Sequence, residues 1–230
     1  MARYTTILFD ADNTLLDFNR SEREALLDAL GVFGVQATEE MVATYSRINL
    51  ENWKRLERGE ISKTALRTRR FEEFCAYYGL EIDAARLSVA YTDALSTKSY
   101  LVDGALDTCR ALAPFCRLYI ITNGIASVQK GRFDPSPLFP LFSGVFISEE
   151  IGAEKPAPAF FRAVSAAIER FDKERTLVVG DSLSSDMAGG ILAGLDTCWY
   201  NPSQSPLPQE LCVTHTIRRL QDLVSLVLDS

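Results

Sequence analysis

ILFDADNTLLDF, residues 7–18, drives an apolar run, Ile7-Leu8-Phe9, straight into two carboxylates, Asp10 and Asp12. Two negative charges crowded at a strand tip require something positive near them. Similar short runs rich in β-branched and aromatic residues recur at 5–9, 118–121, 145–147, 177–179 and 195–200, each too short for a typical helix. Their hydrophobicity is continuous rather than alternating, as expected of strands buried on both faces of a parallel sheet. Helical patterns lie between the later runs, at about 104–113, 156–170 and 185–193, with another near 217–228. This alternation predicts an α/β fold with a doubly wound, mainly parallel sheet.

Residues 17–96 break the alternation. Leu26, Leu27, Leu30 and Phe33 fall at helical spacing, as do Met41, Tyr45 and Ile48, then Phe71, Phe74, Cys75 and Tyr78, then Leu87, Tyr91 and Leu95. Gly31, Gly59 and Gly79 sit where helix C-termini are expected. The segment reads as an all-helical insertion into a core made of residues 1–16 and 97–230. Lys63, Arg67, Arg69 and Arg70, beside Glu72 and Glu73, read as a solvated helix face. The stretch KGRFDPSPLFPLF, 130–142, reads as a loop in which three prolines stop any long helix.

With 230 residues the chain can bury a full core, and 47% hydrophobic with 24% charged residues describes an ordinary soluble globular protein. A net charge of −7 argues against a nucleic-acid polymer or an anionic membrane as partner, while leaving a small anionic substrate open. No apolar run is long enough to span a bilayer, and MARYTTILFD reaches acidic residues too soon for a signal peptide, so a cytoplasmic protein is expected. The five cysteines form no CxxC pair and read as reduced thiols. The single histidine, His215, lies in a polar segment and is expected to be exposed and idle; a histidine-based triad is excluded.

In a parallel sheet all carboxyl ends share one edge, where such folds bind ligands. The first strand ends at Asp10 with Asp12 just beyond, the second at Thr122-Asn123-Gly124 and the fourth at Gly180-Asp181-Ser182, while Lys155-Pro156 opens the helix before that fourth strand. Taken singly, each has an ordinary reading: turn carboxylates, a helix N-cap, a solvated loop charge. Taken together they suit a phosphate ester held by a divalent cation. Asp10, Asp12 and Asp181 offer the hard oxygen ligands that Mg²⁺ prefers; Thr122 and the N–H groups after it can donate to phosphate oxygens; Lys155 can neutralise phosphate and carboxylate alike.

FDADNT (9–14), ITN (121–123), EKPAP (154–158) and VVGDSLSSD (178–186) resemble, in order, the four motifs of the haloacid dehalogenase (HAD) superfamily. The resemblance implies an aspartyl-phosphate formed on Asp10, with Asp12 as the acid that protonates the leaving alcohol and then takes a proton from the hydrolytic water. It implies Mg²⁺ on the Asp10 carboxylate, the Asp12 backbone carbonyl and Asp181, with Asp186 acting through water, and Thr122, Asn123 and Lys155 on the phosphate. Dehalogenase members lack the second aspartate, so Asp12 moves the reading to phosphoryl transfer. The helical insertion resembles the superfamily's cap placed after the first motif. DADNTLLDF and INLENWKRLERGEISKTALRTRRF (48–71) further resemble the pyrimidine 5′-nucleotidase branch. A nucleobase would want a flat apolar surface with amide partners, for which Phe18, Asn19, Asn49 and Trp53 are candidates.

The expected activity is therefore a Mg²⁺-dependent phosphate-monoester hydrolase acting on a nucleoside 5′-monophosphate. A sugar-phosphate phosphatase or a phosphomutase would keep the same core. A phosphorylation-receiving signalling domain combines similar residues, but its phosphorylated aspartate ends the third strand. A nucleotide-binding module would need a glycine-rich turn after the first strand, which DADNT lacks.

Overall fold

The computed structural model describes residues 2–228. Strand β1 (Thr6–Asp10) is fully buried and is followed by four helices, α1 (Phe18–Val32), α2 (Glu39–Glu57), α3 (Lys63–Tyr78) and α4 (Ala84–Ser96). The chain then alternates: α5 (Ala105–Leu112), β2 (Arg117–Thr122), α6 (Ala126–Phe133), β3 (Gly144–Ile147), α7 (Ser148–Ile151), α8 (Pro158–Ala167) and β4 (Thr176–Gly180). A π-helical turn (Leu183–Met187) leads into α9 (Ala188–Ala193), and β5 (Asp196–Tyr200), β6 (His215–Ile217) and α10 (Asp222–Leu228) follow.

The sheet has the order β3-β2-β1-β4-β5-β6, and every pairing is parallel. Period-two alternation turns Ile7 and Phe9 toward α5 and α10, in a core with Cys109, Leu112, Leu220 and Leu223, and Leu8 toward α8, in a core with Phe160, Phe161 and Val164. Both faces are thus covered, which is why the strands read as unbroken apolar runs. After β1 the chain builds the sheet toward β3 and then returns to add β4 on the other side of β1. The carboxyl ends of β1 and β4 therefore flank the crevice where the connections diverge.

Each inserted helix starts on a side-chain cap: Asp17, Thr38, Ser62 and Asp83 accept N–H bonds from Arg20, Met41, Ala65 and Arg86. Leu26, Leu30, Tyr45, Phe71, Phe74, Leu87 and Tyr91 form a core of their own, which is continuous with Ile125 and Val128 from the start of α6. No helix among the described residues is long and apolar enough to cross a membrane.

Several expectations need correction. Gly31 lies inside α1, and the left-handed turn falls at Gly34 (φ 72°). Residues 130–133 belong to α6, so the loop expected over 130–142 begins only just before its first proline, Pro135. The C-terminal helix starts at Asp222 rather than near 217, because residues 215–217 form a sixth strand paired with β5. His215 is half-buried there and meets the Tyr4 hydroxyl at 3.0 Å. The basic cluster is not a solvated face: Arg70 is 2% exposed and donates to Asn49 at 2.9 Å, Lys63 donates to Ser148 at 2.7 Å and lies 3.3 Å from Glu154, and Arg67 pairs with Glu149. Only Arg69 keeps the expected pairing along its own helix, with Glu73.

Candidate active site

Asp10 closes β1 and is buried. The Lys155 ammonium, itself buried, donates to Asp10 Oδ1 at 2.7 Å, to Asp186 Oδ1 at 2.6 Å and to the Ile121 carbonyl at 3.0 Å. Burial alone would strip the lysine of its proton, but the charges of Asp10 and Asp186 outweigh it and hold the pKa above its ordinary value. Asn123 makes this reach possible. Its side chain donates to the Lys155 carbonyl at 2.8 Å and accepts from the Lys155 N–H at 2.9 Å, clamping the loop in place. The Asn123 side chain thus faces the lysine backbone, not the phosphate expected from the sequence.

Asp186 fits because residue 180 is glycine: a Cβ there would lie 2.3 Å from Asp186 Oδ2. That oxygen accepts from the Ser182 N–H at 3.2 Å, while Ser182 Oγ caps the π-helical turn by accepting from Ser185 N. Asp181 precedes that turn, and its carbonyl accepts from the Trp199 indole at 2.9 Å. Thr122 Oγ1 accepts from the Gly124 N–H at 3.0 Å and from Gln129 Nε2 at 2.8 Å, which leaves its own proton to donate.

Ligating oxygens of Asp10, Asp181 and Asp186 lie within 4.8 Å of one another. Burial first, and the neighbouring carboxylates next, push Asp10 well above the usual carboxylate range and Asp181 up to about 7. Such crowding of hard oxygens around one lysine fits a small divalent cation, which would relieve the repulsion that raises both groups.

Asp12, by contrast, is engaged by two side chains that sequence reasoning missed. Gln129 Nε2 donates to its Oδ2 at 2.9 Å, and Arg132 pairs with its Oδ1. The available signal was that these polar residues fall at i, i+3 on the α6 face that also carries buried Ile125 and Val128. Over Asp12 lies a cavity of about 30 Å³ bordered by Phe18, Trp53, Arg70, Gln129 and Arg132. This is room for about one water, so the inserted helices sit closed on the core.

Phe18 and Trp53 therefore do meet at Asp12. Asn19 does not join them: its backbone N–H donates to Asn13 Oδ1, and it borders a cleft of about 520 Å³ with Asp181 and Trp199. Asn49 is buried inside the insertion, donating to Glu22 at 2.7 Å and accepting from Arg70 at 2.9 Å, and so bridges the two charges instead of facing Asp12. Another cleft, of about 560 Å³, runs beside Lys155 and is edged by Glu57 and Lys63. A further cavity, of about 690 Å³ between α1 and α4, shares no residue with these groups.

A model of the haloacid dehalogenase-like hydrolase family matches residues 4–194. The chain is 40% identical to the HAD-hydrolase YfnB of Bacillus subtilis over 97% of its own length and 95% of the other. A crystal structure of YfnB, bound to magnesium and described as revealing interdomain movement, superposes with a TM-score of 0.94 at 39% identity, covering 98% of this chain and 99% of that one. Two pyrimidine 5′-nucleotidases are also similar: PynA of Streptococcus pneumoniae (38% identical, covering 96% of this chain and 94% of that protein) and YjjG of Escherichia coli (31% identical, 98% of each).

Proposed function

The chain belongs to the haloacid dehalogenase-like hydrolases, and we propose that it is a Mg²⁺-dependent phosphate-monoester hydrolase acting on nucleoside 5′-monophosphates, with a preference for pyrimidines. The observation that carries the reading is Asp10 bridged to Asp186 by buried Lys155, with Asp12 two residues on and facing the insertion. Residues 17–96 act as a cap over the core of 1–16 and 97–230.

Asp10 attacks phosphorus in line, the bond to the leaving alcohol breaks, and Asp12 gives the alcohol its proton. Water then attacks the aspartyl-phosphate, Asp12 takes the water's proton, and phosphate leaves. Thr122 donates its hydroxyl proton to a phosphate oxygen, and Lys155 neutralises charge on both phosphate and nucleophile. Mg²⁺ held by Asp10, Asp181 and the Asp12 carbonyl, with Asp186 behind it, would offset the repulsion between a carboxylate and a phosphate dianion. The closed cap excludes bulk water that would compete for the intermediate. Phe18 and Trp53 offer apolar surface beside Asp12 for a leaving group with a flat face, and the likeness to two pyrimidine 5′-nucleotidases supports that choice.

Phosphate release from nucleoside monophosphates and sugar phosphates, with Mg²⁺ and with EDTA, tests the reading. Metal-dependent release concentrated on pyrimidine monophosphates is expected, and Asp10→Asn should remain folded while losing more than about 10³-fold in kcat. Release spread over sugar phosphates would discard the nucleotidase assignment and keep the core chemistry. Full activity of Asp10→Asn would remove the nucleophile.

A further inference from the structure

Asp12 is held from behind. The Arg132 side chain is 1% exposed, whereas that of Asp12 is 27% exposed, so the guanidinium is the buried member of the pair and the carboxylate the member that solvent reaches. Arg132 is itself fixed by contacts that do not involve Asp12: Nε donates to the Lys98 carbonyl at 2.9 Å and Nη1 to Gln129 Oε1 at 3.1 Å, and its guanidinium carbon lies 5.9 Å from the Phe18 ring centroid. Lys98 lies just after α4, where the chain leaves the cap, and Phe18 opens α1, where the chain enters it. Gln129 is fixed in the same way, with one amide nitrogen shared between Asp12 Oδ2 and Thr122 Oγ1.

We propose that Arg132 is a positioning residue for proton transfer at Asp12: anchored to the Lys98 carbonyl at the cap connection, it aims the carboxyl oxygens of Asp12 at the leaving group. The proposal rests on the phosphatase reading above. Arg132 neither gives nor takes a proton. In the first half-reaction a bond forms between Asp10 and phosphorus, the bond from phosphorus to the leaving oxygen breaks, and the Asp12 proton goes to that oxygen. In the second, water bonds to phosphorus, its proton returns to Asp12, and the bond to Asp10 breaks. Both transfers need one Asp12 oxygen aligned with the apical position, and a partly exposed carboxylate does not keep one rotamer without a partner.

The test separates proton donation from other roles through the leaving group. An alkoxide leaving group, as in a nucleoside monophosphate, needs the Asp12 proton, whereas p-nitrophenolate leaves without one. kcat/KM reports only the steps through departure of the first product, so slow hydrolysis of the intermediate does not enter it. For Arg132→Met, kcat/KM on the nucleoside monophosphate is expected to fall about 100-fold, with p-nitrophenyl phosphate changed by less than about 3-fold. Asp12→Asn should show the same split, and the double variant should be no worse than Asp12→Asn alone, because Arg132 acts only through that carboxylate. Arg132→Lys, which keeps the charge but loses the Nε donor to Lys98, should fall between wild type and Arg132→Met; if Arg132→Met does not fold, Arg132→Lys carries the same two-substrate comparison. Equal losses on both esters, or a double variant as poor as the product of the single losses, would overturn the proposal. A wild-type protein that releases phosphate from neither ester would instead overturn the phosphatase reading, and an Asp12→Asn variant without the split would remove the acid role of Asp12 and the proposal with it.

Discussion

Asp181 illustrates how a single carboxyl group records its surroundings. Burial, then the charge of Asp186, brings it to about 7, against the ordinary carboxylate value near 4. Between those values the folded protein holds a proton that the unfolded chain has released, so stability is fully present below about pH 4 and falls as pH rises through about 7. In EDTA, the thermal midpoint of the wild type should therefore drop between pH 5.5 and 8, and that of Asp181→Asn should drop less. The ceiling on this contribution is about 4 kcal/mol, three pKa units at 1.36 kcal/mol each. Parallel midpoints for the two proteins across that range would show that Asp181 is not under strain. Excess Mg²⁺ should flatten the wild-type curve, since a bound cation replaces the proton.

Helix α6 joins the cap to the chemistry. Its N-terminal end contributes Ile125 and Val128 to the cap's core, Gln129 and Arg132 follow one turn on along the same face, and Gly131 meets the end of α4. A Cβ at Gly131 would lie 2.8 Å from the Ser96 carbonyl oxygen, a backbone atom that cannot swing aside. In an open helix, Gly→Ala would stabilise by roughly 1 kcal/mol. Here overpacking should reverse the sign and cost about 1–3 kcal/mol in urea unfolding. Turnover should fall as well, because a displaced α6 moves both side chains that hold Asp12. A stabilised, fully active Gly131→Ala protein would mean that the end of α4 yields freely.

Across the whole molecule, the cap is also tied to core residues outside α6. Lys63 reaches Ser148 and Glu154, Glu57 accepts from the Ser184 hydroxyl at 2.8 Å, and Arg67 pairs with Glu149. The cavity over Asp12 holds about 30 Å³, so the nucleoside leaving group proposed above would reach Asp12 only if these ties release while the chain flexes near residues 17 and 97–100. The Lys63 tie is largely shielded, its side chain being 12% exposed, whereas Arg67 is 40% exposed. Lys63→Met should shift the protein toward an open form, seen as a larger radius of gyration in solution scattering and a several-fold higher KM. Arg67→Gln should change little, as exposed ion pairs contribute about 0–1 kcal/mol. Identical scattering and KM for Lys63→Met would place the closing force elsewhere.

The alternation of apolar runs and helical patterns, the helical insertion and the gathering of Asp10, Thr122, Lys155 and Asp181 at one sheet edge were all legible along the chain. Each follows from local periodicity plus the rule that parallel strands point their carboxyl ends the same way. Side-chain direction was another matter. Asn123 turns to the Lys155 backbone 32 residues away, Arg70 and Asn49 serve a buried charge inside the cap, and His215 pairs with Tyr4 across 211 residues. Gln129 and Arg132 find Asp12 at separations of 117 and 120 residues. A polar side chain takes whatever partner the fold leaves beside it, because an unpaired buried charge costs more than most local preferences supply. Which strand ends converge is a property of the backbone and can be read from spacing. Which guanidinium stands behind which carboxylate arises only when segments more than a hundred residues apart pack together.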